Sequence, residues 1–459
     1  MSGVLLWQWG LVIGSSVLLY IISPVAKTGA NFYQGASGTR EQPRFITLTS
    51  SLVISWIFAK SITNAANLGL EFGIVGGLAY ATYYFSFLVA GIVIYKLRTV
   101  MKSTSIHGFL RSRFGKSAVI VFSLLIGIRL LNEVWSNTMV IGTYFGEKGS
   151  PQFIAAVLAF SALTLAYSLK GGLRSSLITD MLQMALFGVL IFLILGIIIP
   201  REGSLLPFIQ SSEWTMATGL NLLFAALIQV FSYPFHDPVL TDRGFISDAG
   251  TTLKSYLAAT VIGFAAILMF SLVGIHARGQ GLTGQAAVVV SRTVGLFMML
   301  ATNFIMITSA ASTLDSAFSS VAKLGVVDLG SSGKATVTRG RVVMIVAALA
   351  GSIPLLFSPE IVSATTIGGT MVIGLAPVFV LWKFPAPKSS FHLSVWTGVT
   401  SGIILVLGLL PESLQITSGK YAALLSVNIY GTILCFILYL GPIFFKSIKG
   451  DNRFVTRSH

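Results

Sequence analysis

Ser309-Ala-Ala-Ser-Thr-Leu-Asp-Ser-Ala-Phe-Ser-Ser320 is a run of small hydroxyl residues around one acid. It lies inside an apolar segment, near 297–325, that is long enough to cross a bilayer. On a helix, at about 100° per residue, Ser309, Ser312, Thr313 and Ser316 fall on one face and Asp315 sits at its edge. Hydroxyl oxygens and a carboxylate gathered at membrane depth suit a hard cation such as Na+. Small residues also let membrane helices approach closely, and Ser or Thr can bond back to their own carbonyls. The embedded acid is the part that helix packing does not explain.

The flanking chain is as apolar as this segment. Of 459 residues, 54% are hydrophobic and 10% charged, and the mean hydropathy is +0.85, a composition foreign to soluble domains. A helix needs about 20 apolar residues to span the hydrocarbon layer. Such stretches fall at 5–24, 46–68, 73–96, 118–145, 151–169, 177–200, 215–236, 252–276, 287–326, 339–357, 361–382, 391–411 and 423–446. The ninth is too long for one crossing and reads as a short surface piece followed by the helix near 297–325. The expected fold class is all-α and polytopic, about 13 transmembrane helices in one domain over 1–459 with no soluble catalytic module.

A net charge of +15 raises the question of nucleic acid, which the distribution of that charge answers. Alternate loops place 23 Lys and Arg on the side of residues 25–45 and the C-terminus, and five on the other: Lys148, Arg201, Arg278, Arg292 and Lys420. That asymmetry is the positive-inside pattern, so the N-terminus is expected outside and the C-terminus in the cytoplasm. Basic runs such as Lys96 to Lys116 then sit against anionic lipid. The partners implied are the bilayer of a cell membrane and a small solute, not nucleic acid. The first apolar stretch lacks a basic n-region and reads as a retained helix. A single cysteine, Cys435, excludes disulfides within the chain, and five scattered His without an HExxH pattern leave metal hydrolysis unsupported. An enzyme is therefore not expected, nor an organic cofactor.

Charge at membrane depth is costly unless paired or hydrated, which singles out Lys60, Arg129, Glu133, Asp180 and Asp315. Arg129 and Glu133 stand four apart and can pair on one helix face. Asp180 sits near the start of the sixth span, where a helix N-terminus favours an acid. Lys60 lies deep in the second span and calls for a partner inside the protein. The seventh span is interrupted by Gln229, Ser232, Tyr233 and Pro234, then His236-Asp-Pro238. Proline frees a carbonyl, which membranes tolerate where the segment lines a cavity, and broken helices meeting at the midplane are how secondary transporters are built. Spans two to six and seven to eleven (46–200 and 215–382) could form two inverted halves, with 1–45 and 383–459 peripheral.

Three segments resemble the sodium:solute symporter family. Tyr167-Ser-Leu-Lys-Gly-Gly-Leu-Arg-Ser-Ser-Leu-Ile-Thr-Asp-Met-Leu-Gln183 is similar to its YxxxGGLxAxxxTDxxQ signature. Ser309 to Leu329, ending Val-Val-Asp328-Leu, is similar to its eighth core helix, and Asp242-Arg-Gly-Phe-Ile-Ser-Asp248 to its QR(Y/F)xSAK loop. The resemblance implies a LeuT-type fold of two inverted five-helix repeats and sodium-driven uptake by alternating access. It implies a main Na+ site from the carbonyls of Ile54, Ile57 and Ser309 and the hydroxyls of Ser312 and Thr313. A second ion site, present in some members, would fall on Asp180, Ser312, Asp315 and Ser316. Asp315 departs from the small or neutral residue usual there, and Lys60 has no usual counterpart. Three readings of Lys60 stay open: it neutralises Asp315, it replaces an ion or carries a proton in a proton-coupled variant, or it anchors a substrate carboxylate.

Position places the solute near the midplane, against Ser61, Asn64, Tyr84, Trp135, Gln229 and Tyr233. Aromatic faces mixed with amides and hydroxyls suit a small polar organic molecule. A membrane sensor that keeps the fold without moving solute is the other class the sequence admits.

Overall fold

A computed structural model describes residues 2–36, 42–330, 335–357 and 368–448, and among them every regular element is helical. Ten helices are long and apolar enough to cross a membrane, eleven when one sharply bent pair is counted as a span. The chain is a multi-pass membrane protein. Of the expected spans, the second is that bent pair, α3 (Phe45–Trp56) and α4 (Ala59–Phe72), kinked by 61°. It follows α1 (Ser2–Ile22) and the short α2 (Gly29–Gln34). The third runs through α5 (Ile74–Ala81), a 3-10 turn over Thr82–Tyr84, and α6 (Phe85–Thr99).

After the surface helix α7 (Ile106–Phe114) come α8 (Lys116–Gly142), α9 (Pro151–Gly171) and α10 (Leu173–Arg201). A single turn, α11 (Leu206–Ile209), leads to the seventh span, which is broken as its prolines require. α12 (Asn221–Gln229) stops, a 3-10 turn covers Tyr233–His236, and α13 (Pro238–Arg243) follows. α14 (Ala249–Gly279) starts from Asp248, whose carboxylate accepts from the Thr251 N–H at 2.8 Å. The ninth stretch divides as expected, into α15 (Ala286–Val294) and α16 (Leu296–Lys323), with Gly295 at φ 126° between them. α17 (Val337–Ser352) is the tenth span; residues 361–367 of the expected eleventh lie outside the described residues. The last two spans are Lys388–Val406 and Ala422–Ile448.

Two groups of helices enclose the interior. α14 packs along α3, α4, α5 and α6, while α16 packs on α8, α9, α10 and α17. The first contact is backbone to backbone: a Cβ on Gly274 would stand 1.7 Å from the Ala66 carbonyl oxygen, and one on Gly69 2.3 Å from that of Ser271. Small residues permit this approach where lipid supplies no hydrophobic drive. α3 meets α10 and α16, and α4 meets α8, so the break between α3 and α4 faces the second group across the centre of the molecule.

Candidate functional site

A helix leaves its last carbonyls without intrahelical donors, and α3 does so in the protein interior. Of these, the Trp56 carbonyl accepts the Tyr84 hydroxyl at 2.7 Å. Those of Ile54 and Ile57 accept no hydrogen bond among the described residues, and both residues are fully buried. On α16, which packs on α3, Ser309 Oγ is buried without a partner among the described residues. Thr313 Oγ1 donates to the Ser309 carbonyl at 3.0 Å, and Ser312 Oγ donates to Asp180 Oδ1 at 2.5 Å. Both hydroxyls keep free lone pairs. The expected ligand carbonyl of Ser309 is thus already engaged by Thr313, while the Ile54 and Ile57 carbonyls and the Ser309, Ser312 and Thr313 hydroxyls on two packed helices are oxygens of the kind a hard cation takes.

Behind this set lies a second buried cluster. Asp180 Oδ2 accepts from Ser51 Oγ at 2.5 Å and Arg243 Nη2 at 3.2 Å. Asp315 accepts from Ser176 at 2.9 Å, Thr179 at 2.9 Å and Ser316 at 3.3 Å. Arg243, at 0% exposure, also donates to Ser51 (2.6 Å), the Val239 carbonyl (2.8 Å) and Ser316 (2.8 Å). The expected second-site residues Asp180, Asp315 and Ser316 are therefore together, with a guanidinium among them. Sequence reasoning counted Arg243 as a loop cation. The signal was its place one short helix beyond the second break, which folds it back inside. Asp180 is also not in the first turn of its helix: α10 begins at Leu173, so the acid's role is set by Arg243 and Ser51 instead of a helix end.

Lys60 does not meet Asp315, and this corrects one of its three readings. Its ammonium lies 2.7 Å from Glu133 and 3.2 Å from Ser136, at 1% exposure. Arg129 pairs with Glu133, as its spacing predicts, and also with Asp237 at 3.2 Å. Asp237 accepts the Trp56 indole N–H at 2.9 Å, which joins the two broken helices directly. Two cations and two anions thus form one buried network, Lys60–Glu133–Arg129–Asp237, of which the sequence disclosed one pair.

Above the network is a narrow cleft of about 20 Å³ lined by Trp56, Phe58, Ser61, Tyr80, Tyr83, Tyr84 and Tyr233. Ser61, Tyr84 and Tyr233, three of the residues expected to meet the solute, line this cleft together. Asn64 lines instead a wider vestibule of about 540 Å³, shared with Tyr80, whose rim holds Glu71 and Lys420, 2.6 Å apart. Tyr80 and Tyr83 stand between the two spaces. Gln229 sits beside the cleft, its amide engaged with the Tyr83 hydroxyl (2.8 Å), Thr370 (3.2 Å) and Asn428 (3.0 Å). Trp135 is misplaced by the sequence reading. It packs with Met139, Phe153 and Val157, away from the cleft, because it lies about 200° round α8 from Glu133 and both cannot face inward.

No family model matches the sequence, and no curated protein matches it. Solved structures do. A Na+-coupled sialic acid symporter, substrate-bound and outward-open, superposes with a TM-score of 0.72 at 14% identity, over 95% of this chain and 98% of that one. The nucleobase-cation-symport-1 transporter Mhp1, closed with bromovinylhydantoin bound, gives a TM-score of 0.58 at 12% identity, over 93% and 96%. Its inward-facing form gives 0.54 at 11%, over 90% and 94%. The chain has the fold of these transporters. That agrees with the LeuT-like architecture implied by the sequence motifs.

Proposed function

We propose that this protein is a secondary active transporter that takes up a small polar organic solute together with Na+ by alternating access. What supports the reading is that α3, whose end leaves the Ile54 and Ile57 carbonyls without hydrogen bonds among the described residues, packs on α16, the helix that carries Ser309, Ser312 and Thr313. A cation there would tie α3, at the break, to α16 in the opposite helix group, so that ion binding biases how the groups pack. On this reading each group takes helices from both inverted repeats, α3–α6 and α8–α10 from 46–200 and α14, α16 and α17 from 215–382, with the N-terminus outside and the C-terminus cytoplasmic in a cell membrane. The vestibule then opens outward: Glu71 at the end of α4, and Leu282 and Lys420 in the loops after α14 and before the last span, lie on the side that the charge count puts outside. The opposite end is held by Lys323 against Asp242 (2.5 Å) and Asp328 (3.2 Å), and by Arg111 on the Asp328 carbonyl (3.2 Å). That network would have to part for inward release.

Arg243 already supplies a positive charge in the second cluster, which supports a single Na+ at the main site. Proton coupling is the second reading. What favours it is Asp315, whose carboxylate meets three hydroxyls and no cation among the described residues. Uptake into sealed vesicles under a Na+ gradient alone and a pH gradient alone separates the two. Sodium-driven uptake is expected, and uptake indifferent to sodium would remove the first reading.

A further inference from the structure

We infer that the solute carried in the central cleft has no net charge. The inference rests on the sodium-coupled reading above and adds a substrate class to it. Among the described residues, every charged side chain near the cleft is already matched. Lys60 approaches from α4 and lies over the Phe58 ring at 5.1 Å; Arg129 approaches from α8, 5.5 Å from Phe58 and 5.7 Å from Tyr233. Both are turned to Glu133 and Asp237 behind the aromatic floor. Glu133 also accepts from Asn137 at 2.8 Å, and Asp237 from Trp56 and the Val239 N–H at 3.0 Å, so neither anion is free to release its cation cheaply. His236, from the second break, turns Nδ1 to the Tyr233 carbonyl at 2.5 Å. The network sums to zero.

The coupled ion does not alter this balance. With Asp315 ionised, as the sodium-coupled reading takes it, Asp180 and Asp315 against Arg243 leave their cluster one negative charge in excess, and Ser312 donates to Asp180 at 2.5 Å from the side of the proposed cation site. A bound Na+ completes that sum and leaves nothing to compensate a charged solute. A charge without a partner at this depth is strongly disfavoured.

What the cleft does present is neutral. Tyr80 donates to Ser61 at 3.2 Å and Asn64 to Tyr80 at 3.3 Å, long bonds that a solute's own polar groups can replace. Around them stand the rings of Trp56, Tyr84 and Tyr233, with centroids 5.7 Å from Trp56 in both pairs. The approach is neutral as well, because Glu71 and Lys420 close on one another. The class that fits is an uncharged or zwitterionic molecule with an apolar or planar face.

The test is the thermal stability of the purified full chain in Na+ and in choline-free K+ buffer, against a panel grouped by charge: L-proline, uracil, urea and D-glucose; the monoanions N-acetylneuraminate and lactate; the monocation choline. Stabilisation in Na+ by a net-neutral member, and by none of the charged ones, is expected. Glu133→Gln frees an ammonium and should tighten monoanion binding by about tenfold or more, while Lys60→Met should do the same for choline. Either variant suffices if the other does not fold. A monoanion or choline that stabilises the wild type as well as the best neutral member overturns the inference, as does a panel in which no neutral member stabilises it. A neutral solute that binds equally in Na+ and K+ would instead overturn the coupling reading and leave this one standing.

Discussion

Ser312 Oγ donates to Asp180 Oδ1 at 2.5 Å, and this bond joins the proposed sodium site on α16 to the buried carboxylate cluster on α10. At the proposed site Asp180 would then orient one ligand of the ion without being a ligand itself. Asp180→Asn should weaken Na+ activation by roughly tenfold while all five proposed ligands stay in place, the scale of one charge-assisted hydrogen bond. The Na+ dependence of initial uptake rates checks this. An unchanged half-saturating Na+ concentration would separate the two clusters.

Removing one member of a buried ion pair strands the other, at a cost of roughly 3–5 kcal/mol. Lys60→Met and Glu133→Gln should each lower the melting temperature clearly. The double variant should lose less than the sum, because Lys60 and Glu133 are 2.7 Å apart and share one interaction. Strict additivity in a double-mutant cycle would show that the pair is not formed in the folded protein.

Gly274 is the tightest point of the α4–α14 contact, with room for no side-chain atom before the Ala66 carbonyl. Gly274→Leu should prevent the helices from closing, giving aggregated protein on size exclusion. Gly127→Leu, on a glycine of α8 with open space around it, should remain monodisperse.

His107, on the surface helix α7, lies 3.6 Å from Asp328 and accepts or donates to Ser123 at 3.2 Å. Burial depresses its pKa below the ordinary histidine value; Asp328 opposes this, and Lys323 and Arg111 reinforce it. Because the folded state binds the proton less well than the unfolded one, the neutral imidazole's contribution is fully present above about pH 6.5. It is lost as pH falls from there through the depressed value. Melting temperature measured from pH 7.5 downward should decline over that window, and His107→Gln should flatten the decline.

The residues legible from sequence are those whose meaning is local. The stripe at 309–320 keeps one helical face, so its period alone gathers Ser309, Ser312, Thr313 and Ser316. Pro234 and Pro238 each sit in the first turn of a new helical segment, where a missing N–H costs nothing, and Arg129 and Glu133 pair four apart on one face. Lys60 and Glu133 are 73 positions apart, and nothing in either neighbourhood names the other. Arg243 and Asp237 were hidden for a related reason: the direction of the six-residue helix after the second break is set by what it packs against. Trp135 failed on angle, since a residue two positions from an inward-facing one points away.

The central claim is that Na+ binds between the break after α3 and the hydroxyl face of α16. Radiosodium binding to the purified protein, without any solute, tests it most directly. The account predicts saturable binding that is lost in Thr313→Ala and kept in Trp135→Phe, whose ring packs elsewhere. Saturable binding that survives Thr313→Ala and Ser312→Ala together, or no saturable binding in the wild type, would contradict it.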